Sequence, residues 1–205
     1  MAGEVAHVVY AARLLKHLEG KVSDSRYWAG TLFPDIRHLG LISRHRTHPQ
    51  NVGLTSLVGK NDFDTGMRVH AWIDATREKF WQEANMKESL PWHPFVTHAV
   101  KLLEDELIYD LFADWNLVQR SLSAIYEEEL YYVSSREGIQ RWHDTLQRYF
   151  KRRPDAASRQ QLSLDIGLSQ SSAEEVNGVV EQLRENKLTQ QLVEKFHLHL
   201  EQLLV

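Results

Sequence analysis

Gly66-Met67-Arg68-Val69-His70-Ala71-Trp72-Ile73-Asp74-Ala75-Thr76-Arg77-Glu78-Lys79-Phe80-Trp81 is the stretch whose reading decides the fold of this chain. Its apolar residues recur every three or four positions, the period of an α-helix and not the alternation of a strand. His70 and Asp74 stand four apart, so both side chains leave the same face one turn apart. Met67 and Trp81 share that face and turn it inward, and Glu78 continues the ridge. Two metal-capable groups on a core-directed face are costly unless they pair with each other or coordinate an ion.

The same period extends through most of the chain. It predicts helices over 4–19, 64–84, 93–115, 118–132, 136–152, 155–168 and 172–203, the last one open to a break, with a shorter helix around Tyr27–Leu32. No window alternates long enough to argue a strand. The expected fold class is therefore all-α, a single-domain helical bundle of about seven helices over 1–205. Ser23-Asp24-Ser25, Asp64-Thr65 and Ser171-Ser172 read as helix N-caps, and all five prolines fit boundaries. Residues 33–63 are the least periodic and read as a long loop, a kind of segment that often carries function. Within the domain, 1–116 reads as a metal-site half and 117–205 as a helical scaffold half, amphipathic and poor in convergent His or Asp.

Composition narrows the chemistry. Of 205 residues 42% are hydrophobic, enough for a real core, and the net charge of -4 points neither to nucleic acid nor to an anionic membrane surface. There is no cysteine, which excludes disulfides and thiolate metal sites. A metal must then be held by imidazole and carboxylate, a donor set that suits Zn, Mn or Fe. Met1–Gly20 has neither a basic leader nor an uninterrupted apolar run, so no signal peptide or transmembrane helix is expected and a cytoplasmic protein is the default. Eight of the 11 histidines fall in the first half: His7, His17, His38, His45, His48, His70, His93 and His98.

Further candidates lie around the opening stretch. His7 ends an apolar stripe made with Ala11, Leu14 and Leu18, and is either a hydrogen-bonded core histidine or a ligand. Glu104 sits amid Val100, Leu103, Leu107, Ile108, Leu111 and Trp115, where a carboxylate must be paired, protonated or metal-bound. Asp105, Glu106 and Asp110 fall off that face and read as solvated or rim residues, and His98 lies on its flank. In the loop, Asp35 follows an apolar turn, and Arg44-His45-Arg46-Thr47-His48-Pro49 offers two imidazoles. Arg37, Arg44, Arg46 and Arg68 are candidates for gripping a phosphodiester through a bidentate fork, the alternative being ordinary surface arginine. His143-Asp144 is the adjacent pair of an HD-type phosphohydrolase, but nothing completes the set and it reads as a surface dipeptide.

In their order, AHVVYAARLL, AGTLFPDIRH, RTHP and GxxxHxxxD over residues 5–75 resemble the zinc-dependent phospholipase C-like family of α-helical phosphodiesterases. That resemblance implies His7, Asp35, His48, His70 and Asp74 as metal ligands. A second resemblance, to acyl carrier protein phosphodiesterases, rests on Gly66, His70, Ile73, Asp74 and Glu78, on LLEDELIYDLFADW, and on two later helices, GIQRWHDTLQRYFKRRP and QLVEKFHLHLEQLL. The chain departs from the second family at Ala71, where an arginine is usual, and at Glu78, an aspartate there. Val100 denies it the late HxxxE of the first family. One or two ions are therefore expected, and not three.

The expected activity is that of a divalent-metal-dependent hydrolase, a phosphodiesterase or phosphohydrolase using a metal-activated water. Asp35 and Asp74 are its catalytic candidates. His7, Asp35, His48, His70, Asp74, Glu78 and Glu104 are candidate ligands, a second ion falling near Glu78 or Glu104. Arg37, Arg44 and Arg46 are candidates for substrate. The substrate is a small phosphodiester or phospholipid-like molecule, with acyl carrier protein as a further partner. The alternative is a helical protein that keeps a structural metal or His–Asp cluster without turnover.

Overall fold

Asn61 sets the start of the longest helix by accepting a hydrogen bond from the Asp64 N–H at 2.8 Å. That helix, α4, runs Asp62–Glu83. The expected Asp64-Thr65 cap therefore lies inside the first turn, where Asp62 and Asp64 meet the positive end of the helix dipole. Residues 2–18, 22 and 25–204 are described in this computed structural model. Before α4 come α1 (Glu4–His17), α2 (Ser25–Leu32) and the single turn α3 (Arg44–Thr47). After it come α5 (Met86–Ser89), α6 (Val96–Ile108), α7 (Trp115–Ser121), α8 (Glu127–Tyr132), α9 (Arg136–Phe150), α10 (Ala156–Asp165), α11 (Gln170–Glu185) and α12 (Lys187–Leu203). The described residues contain no strand, and none of their helices is long and apolar enough to cross a membrane.

The all-α class holds, with a finer division than seven helices. The helix expected over 93–115 ends at Ile108 and passes through a 3-10 turn, Tyr109–Leu111. Asp114 then caps a new helix by accepting the Leu117 N–H at 3.1 Å. The stretch 118–132 divides between α7 and α8. The last helix breaks at Asn186, whose extended backbone ends α11 and whose side chain caps α12 through the N–H groups of Leu188 and Thr189. Ser169, not Ser171-Ser172, caps α11. The Ser23-Asp24 cap lies outside the described residues. The long loop also has structure of its own: 3-10 segments at Phe33–Leu39 and Leu54–Ser56 flank α3.

One apolar core runs from Ala2 to Leu200. Its closest packing joins α2 to α4, where Gly30 and Gly66 bring the two backbones together. A Cβ at Gly66 would run into the Tyr27 carbonyl oxygen, and one at Gly30 into that of Phe63. Only glycine lets the helices approach this far. Tyr27 Oη donates to the Ala11 carbonyl (2.8 Å), tying α2 to α1. The fully buried Trp142 of α9 donates its indole N–H to the Leu32 carbonyl (3.0 Å), fixing the end of α2. Asp35 leaves the chain one turn later.

Candidate metal centre

Four segments deliver five side chains to one point. His7 comes from α1, Asp35 from the 3-10 turn after α2, His48 from the residue after α3, and His70 with Asp74 from α4. Each is at most 2% exposed. His48 Nε2 lies 3.1 Å from His70 Nε2 and 3.5 Å from Asp74 Oδ2. His70 Nε2 stands 3.9 Å from that same oxygen and 4.0 Å from Asp35 Oδ2. His7 stacks on His70 with ring centroids 3.7 Å apart, and its Nε2 comes within 3.3 Å of Asp74 Oδ1. The sets His7–His70–Asp74 and Asp35–His48–His70 each bring their ligand atoms within 4.8 Å of one another.

The outward hydrogen bonds decide which nitrogens face inward. His70 Nδ1–H donates to the Thr31 carbonyl at 2.9 Å, and His48 Nδ1–H to the Arg44 carbonyl at 3.2 Å. A carbonyl only accepts, so His70 carries its proton on Nδ1 and points a bare Nε2 inward. His48 Nδ1 also meets Thr47 Oγ1 at 3.0 Å, and its Nε2 faces that of His70 across 3.1 Å. Neither ring nitrogen of His7 makes a hydrogen bond. Metal-bound histidines are oriented in this way, with the far N–H held by a carbonyl or carboxylate. Buried imidazoles and carboxylates gathered at one point are a donor set for a divalent cation, so the residues present fit one.

Burial, then neighbouring His7, holds His70 well below the usual histidine range, outweighing the pull of Asp35 and Asp74. Burial alone would raise Asp35, but His70, His38, His7 and Arg37 hold its carboxyl below the usual range. Burial likewise opposes ionisation of Asp74, and the His48 and His7 rings against its two oxygens overcome it. Carboxylates and neutral imidazoles are the forms that bind metal.

Asp74 also accepts the Ala2 N–H through Oδ1 (2.8 Å) and Arg44 Nη2 through Oδ2 (3.2 Å). Together with His48 it reaches the wall of a cleft of about 580 Å³, lined also by Arg44, Gln50, Asn51 and Glu78. The cluster is thus buried on most sides and open on one.

Other candidates fall elsewhere. Glu104 is buried but belongs to an ion pair: its Oε2 takes Arg77 Nε (2.8 Å) and Nη2 (2.5 Å), and its Oε1 takes Tyr10 Oη (2.9 Å). It is no ligand of the cluster, because its lone pairs are already spent on donors. Glu78 is exposed at the cleft rim and accepts from Gln82. Arg37 Nη2 lies 3.0 Å from Asp35 Oδ1. Arg46 and His45 are exposed, and Arg68 is engaged by Asp64 and the Ser56 carbonyl. Asp105 is fully buried and not a rim residue, since it accepts the Ala6 N–H (2.9 Å) and Tyr149 Oη (3.1 Å). Glu106 is engaged by Arg159 and Arg184. His143 is buried too, joined to Glu129 at 2.7 Å, so His143-Asp144 is not a surface dipeptide.

Two residues at the centre escape a reading of the sequence. Glu4 precedes His7 by one turn on α1 and groups with His7 and Asp35, its position three residues ahead being the available signal. Lys101, on the buried side of α6, is 9% exposed and senses Asp35, Asp74 and Glu4. Comparison of the chain with protein-family models, with curated proteins and with solved structures finds no match.

Proposed function

We propose that this protein is a divalent-metal-dependent hydrolase acting on a phosphodiester, with zinc as the favoured ion and manganese or iron as substitutes. The observation that carries the reading is the convergence of the His48 and His70 imidazole nitrogens, 3.1 Å apart, with Asp35 and Asp74 at the wall of a cleft. Asp35, His48, His70 and Asp74 are the residues to hold the ion. A divalent ion in such a donor set supplies a Lewis acid for a phosphoryl oxygen and lowers the pKa of bound water to about 7.

The chain's own groups do the rest. The Thr31 carbonyl locks the His70 tautomer, and the Arg44 carbonyl and Thr47 Oγ1 orient the His48 ring. Asp74, edging the cleft, is placed to accept a proton from a water there. Arg44, half exposed at the mouth, offers its fork to a phosphate oxygen; Arg37 sits behind Asp35 and steadies it. A small phosphodiester, phospholipid-like or carried on an acyl carrier protein, is the substrate class in view. The second reading is a structural ion without turnover, favoured by the contact Arg44 already makes with Asp74. A structural site is closed by protein ligands, whereas a catalytic one keeps a position open.

Metal analysis of protein purified without chelator, beside hydrolysis of bis-p-nitrophenyl phosphate, tests both. The expected outcome is bound metal and turnover in the wild type, with turnover lost by about 10²-fold or more in Asp74→Asn. Absence of metal, with no stabilisation by added zinc or manganese, overturns the reading; metal without turnover on any phosphodiester selects the structural one.

A further inference from the structure

Glu4 is the feature that the hydrolytic reading leaves unused. Its carboxyl is 7% exposed, in the first turn of α1, and Oε2 has no hydrogen-bond partner. It shares this condition with both nitrogens of His7, and the pair stands beside Asp35. These three side chains bring ligand atoms within 4.8 Å of one another. Atoms bound to one ion at about 2.1 Å stand some 3–4 Å apart, so small side-chain rotations close the group. A buried carboxylate without a donor is expensive.

We propose that Glu4, His7 and Asp35 form a second divalent-cation subsite, sharing Asp35 with the ion held by His48, His70 and Asp74. This rests on the metal-dependent reading above and adds where the second ion lies. Asp35 belongs to both ligand groups, and the two oxygens of a carboxylate bridge ions about 3.5–4 Å apart in two-metal hydrolytic sites. Glu78 and Glu104, where a second ion is expected from the sequence, serve less well: one is exposed at the rim, and the other is held by Arg77 and Tyr10. Charge also favours the placement. Glu4, Asp35 and Asp74 bring three negative charges, and the stacked rings of His7 and His70 add none when neutral. Lys101 and Arg37 are the cations near Glu4 that counter this charge.

The test loads the full-length protein with Mn²⁺ and reads metal equivalents together with electron paramagnetic resonance. The wild type is expected to bind two equivalents and give the exchange-coupled signal of a bridged pair. Glu4→Gln, matched in size and checked by circular dichroism, is expected to bind one and to show only an isolated ion. Glu78→Gln is expected to keep both ions and the coupling, and serves if Glu4→Gln does not fold. Two equivalents retained in Glu4→Gln, loss of coupling in Glu78→Gln, or a single equivalent in the saturated wild type overturns the subsite and leaves a one-ion centre standing. A wild type that binds none removes the metal-dependent reading itself.

Discussion

Successive turns of α4 carry two buried ionic groups that differ in one respect. Arg77 and Glu104 are each 1% exposed, and between Arg77 and Tyr10 both oxygens of the carboxylate find donors. The guanidinium also lies 3.4 Å from the Trp81 ring centroid. One turn earlier, His70 and Asp74 are as deeply buried, but there two imidazole nitrogens face each other beside carboxylates at the wall of a cleft. Burial of charge alone therefore does not mark a candidate site. What separates the two is the partner: an arginine closes the first group within the protein, and the second gathers the donor set in which the proposed ion would sit.

The contrast can be broken experimentally, beginning with the complete pair. Arg77→Ala leaves Glu104 buried without its main donor and is expected to cost about 3–5 kcal/mol, read by urea denaturation. A loss under about 1 kcal/mol would show that the pair is not the anchor its geometry implies. The second test concerns the incomplete group. Zinc at a hundred times its dissociation constant is expected to stabilise the wild type by about 2.7 kcal/mol and His70→Ala far less, as read by thermal melting. Equal stabilisation of both proteins would place the ion elsewhere. The smallest effect is one of pH. Burial, then Lys101 and His38, push His98 down to about 4, so the folded state keeps it neutral. Its contribution is present above the unfolded value near 6.5 and is lost as pH falls through the folded one. Stability should fall by about 1 kcal/mol between roughly pH 6.5 and 5 on its account. His98→Gln should flatten that part of the profile, and an unchanged slope would remove His98 from the titration.

Legibility followed the range of the interactions involved. The placing of His70 and Asp74 on one inward face is a property of a single helix, so spacing alone exposed it. The meeting of His7, Asp35 and His48 with that pair depends on packing between elements, and there the ordered resemblance supplied what periodicity lacked. Glu104 shows the limit: a carboxylate on an apolar face is equally compatible with an ion and with an arginine. The arginine lies 27 residues away in sequence, where no local pattern reaches it. Asp105 failed for a related reason. Its partners include the Ala6 N–H on α1, 99 residues distant, so its burial is a fact of assembly and not of its own helix. Helix limits moved where caps did, at Asn61, Ser169 and Asn186, because a single side-chain acceptor decides them.

The glycine contact between α2 and α4 has a mechanical consequence for the centre. Gly30 and Gly66 bring main chain against main chain, and main-chain atoms have no rotamers to exchange. The two helices behave as the fixed jaws of a caliper, with Thr31 on one jaw gripping His70 on the other. Adjustment to a larger or smaller ion has to come from the outer arms, the turn bearing Asp35 and the short segment bearing His48. On the proposed metal-dependent reading, half of the ligand set is stiff and half compliant, and ionic radius would be sensed along the direction that separates them.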